Sequence, residues 1–120
     1  MEYQQLLGVR LFNIWLILTL SLWLTLLVFR WDFPMLAMSA ARNGETEQAI
    51  EWLLHPLFQF DDVGMPIGGV RVPTPYFPGS GGLLYAVAMM AAGWDGSTKS
   101  TPGFPSKGWN VRVEGISKAL

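Results

Sequence analysis

The stretch from Tyr76 to Trp94, YFPGSGGLLYAVAMMAAGW, decides the fold. Its second half, Leu83–Ala92, carries Leu83, Leu84, Val87, Ala88, Met90 and Ala91 and no charge. A helix that is apolar on every side belongs inside a larger protein or in lipid. About ten residues at ~1.5 Å rise each fall short of a bilayer core of ~30 Å. The segment is therefore expected to be a helix that wants protein around it. Gly81-Gly82 open it and Gly93 stops it. A chain of 120 residues offers little protein to cover it, so incomplete burial of Leu83–Ala92 is expected.

Upstream, His55 to Gly79 contains Pro56, Pro66, Pro73, Pro75 and Pro78, with Gly64, Gly68, Gly69 and Gly79. Such a stretch cannot be a long helix. Val70-Arg71-Val72 alternates, and reads as a short strand or an extended edge. Long irregular segments in compact domains are often functional, so this loop is the first place to seek a binding surface.

Two short helices come before it. Asp32 is placed to cap the first, with Pro34 tolerated in its opening turn. Phe33, Leu36, Ala37, Ala40 and Ala41 then recur at helical spacing as one apolar stripe. Arg42 lies in the last turn, and Asn43-Gly44 ends it. Thr46 is placed to cap the second helix, in which Ala49, Ile50, Leu53 and Leu54 repeat the spacing. Together they predict an αα-hairpin, with alanines permitting close approach.

Residues 11–29 read LFNIWLILTLSLWLTLLVF, which is 19 residues without charge, Gly or Pro, between Arg10 and Arg30. That length suits a single transmembrane helix at 11–29. A cleaved signal peptide, a buried core helix, or a hydrophobic extension joined to the rest by a truncated or mis-joined gene product are the alternatives. The expected localisation is accordingly membrane, single-pass, or the secretory pathway and cell exterior. The flanking arginines do not fix an orientation. The chain thus divides into a hydrophobic segment, 1–30, and a second part, 31–120. The tail beyond Trp94 is rich in Gly, Ser, Pro and Lys. It is expected to be loosely held, with Trp94, Phe104, Trp109 and Val111 available to pin it.

Composition excludes several functions. The formal net charge is -1 and 14% of residues are charged, which gives no basic nucleic-acid footprint. Without cysteine there is no disulfide framework, thiolate metal site or cysteine nucleophile, and one histidine makes no metal cluster. No cofactor motif is present. Pro78-Gly79-Ser80-Gly81-Gly82 lacks the Lys-Ser/Thr of a P-loop, and Ser80 is not in a G-x-S-x-G elbow. Asp61-Asp62 is the one paired carboxylate. Adjacent side chains point apart, so loop capping competes with a sugar or cation contact there. His55 follows the second helix, where a C-terminal dipole or simple packing accounts for it. Trp31, Tyr76, Phe77, Trp94 and Trp109 are candidates for stacking on sugar rings.

These residues carry a resemblance. Trp31-Asp32-Phe33-Pro34-Met35-Leu36-Ala37-Met38-Ser39-Ala40-Ala41-Arg42 resembles a late helix of the six-hairpin glycosidases, as does Tyr76-Phe77-Pro78-Gly79-Ser80-Gly81-Gly82-Leu83-Leu84 running on to Trp94. Gly103-Phe104-Pro105 and Gly108 to Gly115 are similar to the close of those catalytic domains. The resemblance covers about residues 31–116 and not 1–30. It implies the last hairpins of an (α/α)₆ toroid, with Leu83–Ala92 as an inner-ring helix. The expected fold is therefore mainly α: the hydrophobic helix, then about three helices with a long Pro/Gly-rich loop and an irregular tail. The implied ligand is carbohydrate. Such enzymes need two catalytic groups flanking the glycosidic bond. The resemblance places these in earlier hairpins, so no catalytic residue is assigned here. Asp61, Asp62, Tyr76 and Ser80 would line the substrate end. The resulting expectation is a truncated, membrane-anchored glycosidase-like protein, catalytically silent alone. The competing expectation is a small single-pass membrane protein whose outer part binds a protein partner without chemistry.

Overall fold

The computed structural model describes residues 32–69 and 72–120. The expected transmembrane segment at 11–29, Trp31 and the Val70-Arg71 part of the alternating triplet lie outside them. The described residues form three helices and no strand: α1 (Asp32–Arg42), α2 (Thr46–Leu53) and α3 (Phe77–Ala92). Among them no helix is long and apolar enough to cross a membrane.

The αα-hairpin forms where the sequence places it. Phe33, Pro34, Ala37, Ala40 and Ala41 are the buried side of α1. At its end the Gly44 N–H donates to Ala41 O (3.0 Å) and the Glu45 N–H to Ala40 O (2.9 Å). This is a Schellman closure with Gly44 at φ +82°. That closure places Glu45, not Thr46, at the cap of α2, and no side chain caps it. The Glu45 carbonyl takes the Ala49 N–H (3.0 Å) instead. Asp32 lies in the first turn of α1, where a carboxylate suits the helix dipole.

α3 begins six residues earlier than the glycines suggest, at Phe77 instead of Leu83. Pro78 falls in its first turn, where the missing N–H costs nothing and the fixed φ favours the helix. Gly79, Gly81 and Gly82 are thus helical residues, not a loop. Gly79 is buried because a Cβ there would sit 3.3 Å from Pro66 Cβ and 3.6 Å from Phe58.

α1 packs against both α2 and α3. The shared core joins Ala37, Ala40 and Ala41 of α1 to Ala49 of α2 and to Met89 and Met90 of α3. Three alanines on α1 let both neighbours approach its backbone, and the methionines fill the space between. α3 turns Gly79, Ala86, Met89, Met90 and Ala91 inward. Its opposite side stays bare: Phe77 is 62% exposed and Leu84 71%, with Tyr85 and Val87 also exposed. The expected incomplete burial is therefore confined to one face.

The tail is fastened at its end, against expectation. The Ala119 N–H donates to Gly93 O (2.9 Å) and the Asp95 N–H to Ala119 O (2.8 Å). These bonds form a parallel bridge between Trp94 and Ala119. Arg42 Nη2 donates to Leu120 O (3.1 Å) and Lys118 Nζ to Ser97 O (2.7 Å). Trp94 and Phe104 pack on the core, and the Phe104 and Trp109 rings lie 5.3 Å apart. The stretches between these fixings, including Ser106–Asn110, are exposed.

Candidate functional site

The expected substrate end gathers around Pro66, which is fully buried. Phe60 and Pro66 form an antiparallel bridge, and the Ile67 N–H donates to Gln59 O (3.0 Å). This closes a small turn over 61–65 inside the Pro/Gly-rich segment. Asp61 holds that turn. Its Oδ1 accepts the backbone N–H of Val63 (3.1 Å) and of Met65 (2.7 Å). Its own N–H donates to Met65 O (2.9 Å). A side-chain oxygen that takes two backbone donors is a turn device of the Asx kind. Asp62, next to it, is exposed on the turn. The two carboxylates of the pair therefore do different things, and Asp62 is the more exposed of the two.

Tyr76 reaches the same place from the other side. Its N–H donates to Pro66 O (2.8 Å), and it occupies the N-cap of α3. Ser80 follows on the first turn of α3, half-buried beside Gly79. Tyr76 thus meets Pro66 at the end of the turn that Asp61 holds, and Gly79, next to Ser80, lies against the same proline. Ser80 belongs to a helix and not to a glycine-rich loop, so no backbone cradle for an anion is built there.

His55 is a packing residue at the end of α2. Its Nδ1 accepts the Leu57 N–H (3.2 Å), and its ring stacks on Phe33 at 4.6 Å. That stack extends into a cluster which the sequence reading did not assemble. Phe33 meets Phe58 at 5.8 Å and Trp52 at 6.3 Å, and Phe58 meets Phe60 edge-on at 5.0 Å. The spacing of Trp52, His55 and Phe58, three apart each time, was the available signal. Of the stacking candidates, Tyr76 is half-buried, Phe77 and Trp109 are exposed, and Trp94 is committed to the core.

A second concavity was not foreseen. A cleft of about 630 Å³ lies between the start of α2 and the tail, lined by Glu45, Glu47, Glu51 and Lys107 among others. No group of three or more potential metal ligands occurs among the described residues. Neither the family models nor the curated proteins nor the solved structures provide a match to this chain.

Proposed function

We propose that this chain is a partial six-hairpin glycosidase-like unit, held at a membrane through 11–29, that recognises carbohydrate without hydrolysing it. The observation behind this reading is the two-faced character of α3. One apolar face is covered by α1 and the loop at Pro66, while Leu84, Tyr85 and Val87 form a second apolar face open to solvent. An inner-ring helix of a toroid needs both faces covered, so its sequence is apolar on both. The rim at Asp62, Tyr76 and Ser80 then supplies hydroxyls and one free carboxylate, the groups that hydrogen-bond sugar hydroxyls. Asp61 supports this rim by holding its turn, and does not itself reach for ligand.

The test is binding of a panel of neutral and acidic oligosaccharides to the full chain in detergent micelles. Tryptophan fluorescence reads occupancy and reducing-end release reads hydrolysis. Binding without release is expected, weakened about tenfold (~1.4 kcal/mol) by Asp62→Asn or Tyr76→Phe. Absence of binding by every member of the panel would sink the carbohydrate reading and favour the partner-binding alternative.

A further inference from the structure

The bundle has two unlike ends. Phe33 at the start of α1 stacks on His55 and Phe58, Phe58 lies against Gly79, and Tyr76 meets Pro66. The start of α1, the end of α2, the 61–65 turn and the start of α3 therefore share one pole. Around it, Leu54, Leu57, Val63, Met65 and Phe77 are exposed, with Asp32 and Asp61 half-exposed and Asp62 exposed on the same elements. The opposite pole holds the α1–α2 turn, the α2 start and the tail, where Arg42, Glu45, Glu47, Lys107 and Lys118 are interspersed with the exposed Trp109, Val113, Ile116 and Leu120. An exposed apolar patch of this kind marks a contact surface.

The apolar run ends at Phe29, and α1 begins at Asp32. Three residue steps reach at most ~10 Å. If the run spans a bilayer, the start of α1 cannot leave the surface, and the apolar pole is the one that the run holds there. α1 is about 16 Å long at ~1.5 Å per residue. The polar layer of one leaflet is only about 6 Å deep, from the difference between the ~30 Å core and the full bilayer. With α1 standing along the bilayer normal, the opposite pole stays in water.

We infer that Leu54, Leu57, Val63, Met65 and Phe77 sit in the interfacial layer of the bilayer, a second membrane contact beside the run at 11–29 that leaves the rim at Asp62, Tyr76 and Ser80 at headgroup level, facing carbohydrate at the membrane surface. The inference rests on the reading of that run as membrane-spanning. Apolar side chains at this depth gain free energy roughly in proportion to the area removed from water.

The chain has no cysteine, so single cysteines can carry an environment-sensitive fluorophore. The test uses Leu57→Cys, Met65→Cys and Phe77→Cys at one pole, and Glu47→Cys and Ser106→Cys at the other. Each full-length labelled chain is reconstituted into dioleoylphosphatidylcholine vesicles with or without doxyl-labelled lipid. Far-UV circular dichroism checks that helix content is kept. All five sites are exposed, so a label meets no packing. Blue-shifted emission quenched by doxyl lipid is expected at 57, 65 and 77, and neither effect at 47 and 106. Water-like, unquenched emission at all five positions would overturn the inference. So would a blue shift at 57, 65 and 77 that doxyl lipid does not quench, because it would assign the patch to a second copy of the chain. Alkaline carbonate extraction separates this from the anchor reading. Retention in the membrane with unquenched labels sinks the pole contact alone. Release with quenched labels keeps the pole contact and sinks the span.

Discussion

Gly103 and Gly44 are both glycines for structural reasons, but the reasons differ. At Gly103 the N–H donates to Met90 O (2.9 Å), and a Cβ would run into the Cα, Cβ and Cγ of Met90. Gly103→Ala should lower stability by about 1–3 kcal/mol through overpacking, seen as a lower urea midpoint. At Gly44 a Cβ meets nothing within 4 Å, but φ is +82°. Gly44→Ala should cost roughly 1–2 kcal/mol from backbone strain alone. Asn tolerates that conformation, so Gly44→Asn should recover much of the loss while Gly103→Asn recovers none. Equal behaviour of Asn at both positions would contradict this division. Asp61 gives a second residue-level expectation. Asp61→Ala removes the acceptor of two backbone N–H groups and should cost about 1–3 kcal/mol. Asp61→Asn keeps an oxygen at that place and should cost less than half as much. An equal loss for both variants would show that charge, not turn geometry, matters at Asp61.

At the scale of elements, α3 shows where sequence and structure part. Its existence and type follow from Leu83–Ala92, and the hairpin of α1 and α2 follows from the alanine stripe and Asn43-Gly44. The start of α3 was not legible, because Gly79, Gly81 and Gly82 weaken a helix locally and only a tertiary contact explains one of them. Gly79 is there for Phe58 and Pro66, which lie 21 and 13 positions upstream. The site divides the same way. That Asp61 belongs to a turn could be read from Asp-Asp beside Gly64. That Tyr76 closes onto the same turn needed the fold, since the N–H of Tyr76 and the carbonyl of Pro66 meet across ten residues. The tail's closing bridge of Trp94 with Ala119 was invisible because it is made by backbone groups that every residue carries. One prediction belongs to this scale. Gly81 is exposed, helical, and free of neighbours within 4 Å of a built Cβ. Gly81→Ala should therefore stabilise α3 by about 0.5–1 kcal/mol. Gly79→Ala, pressed against Pro66, should not. A urea midpoint that rises for both would mean that the loop at Pro66 yields more readily than its packing implies.

For the whole molecule the open question is what covers the bare face of α3. Leu84 is 71% exposed there, so in the isolated chain its removal exposes nothing. Leu84→Lys should change the urea midpoint by no more than about 0.5 kcal/mol, the usual range for a surface substitution. Leu84→Lys also separates the two apolar surfaces of the chain. Leu84 lies in the second turn of α3, and Phe77 opens the helix at the pole assigned to the bilayer. Lipid contact at 57 and 65 should survive Leu84→Lys, because the pole does not depend on the middle of α3. Any packing of a further helix on the bare face should not survive it. A Leu84→Lys chain that unfolds in micelles would show that the face is already covered within this chain. A chain that folds but loses lipid contact at 57 and 65 would merge the face and the pole into one surface. Stability unchanged with lipid contact intact leaves two separate apolar surfaces, one for membrane and one for protein.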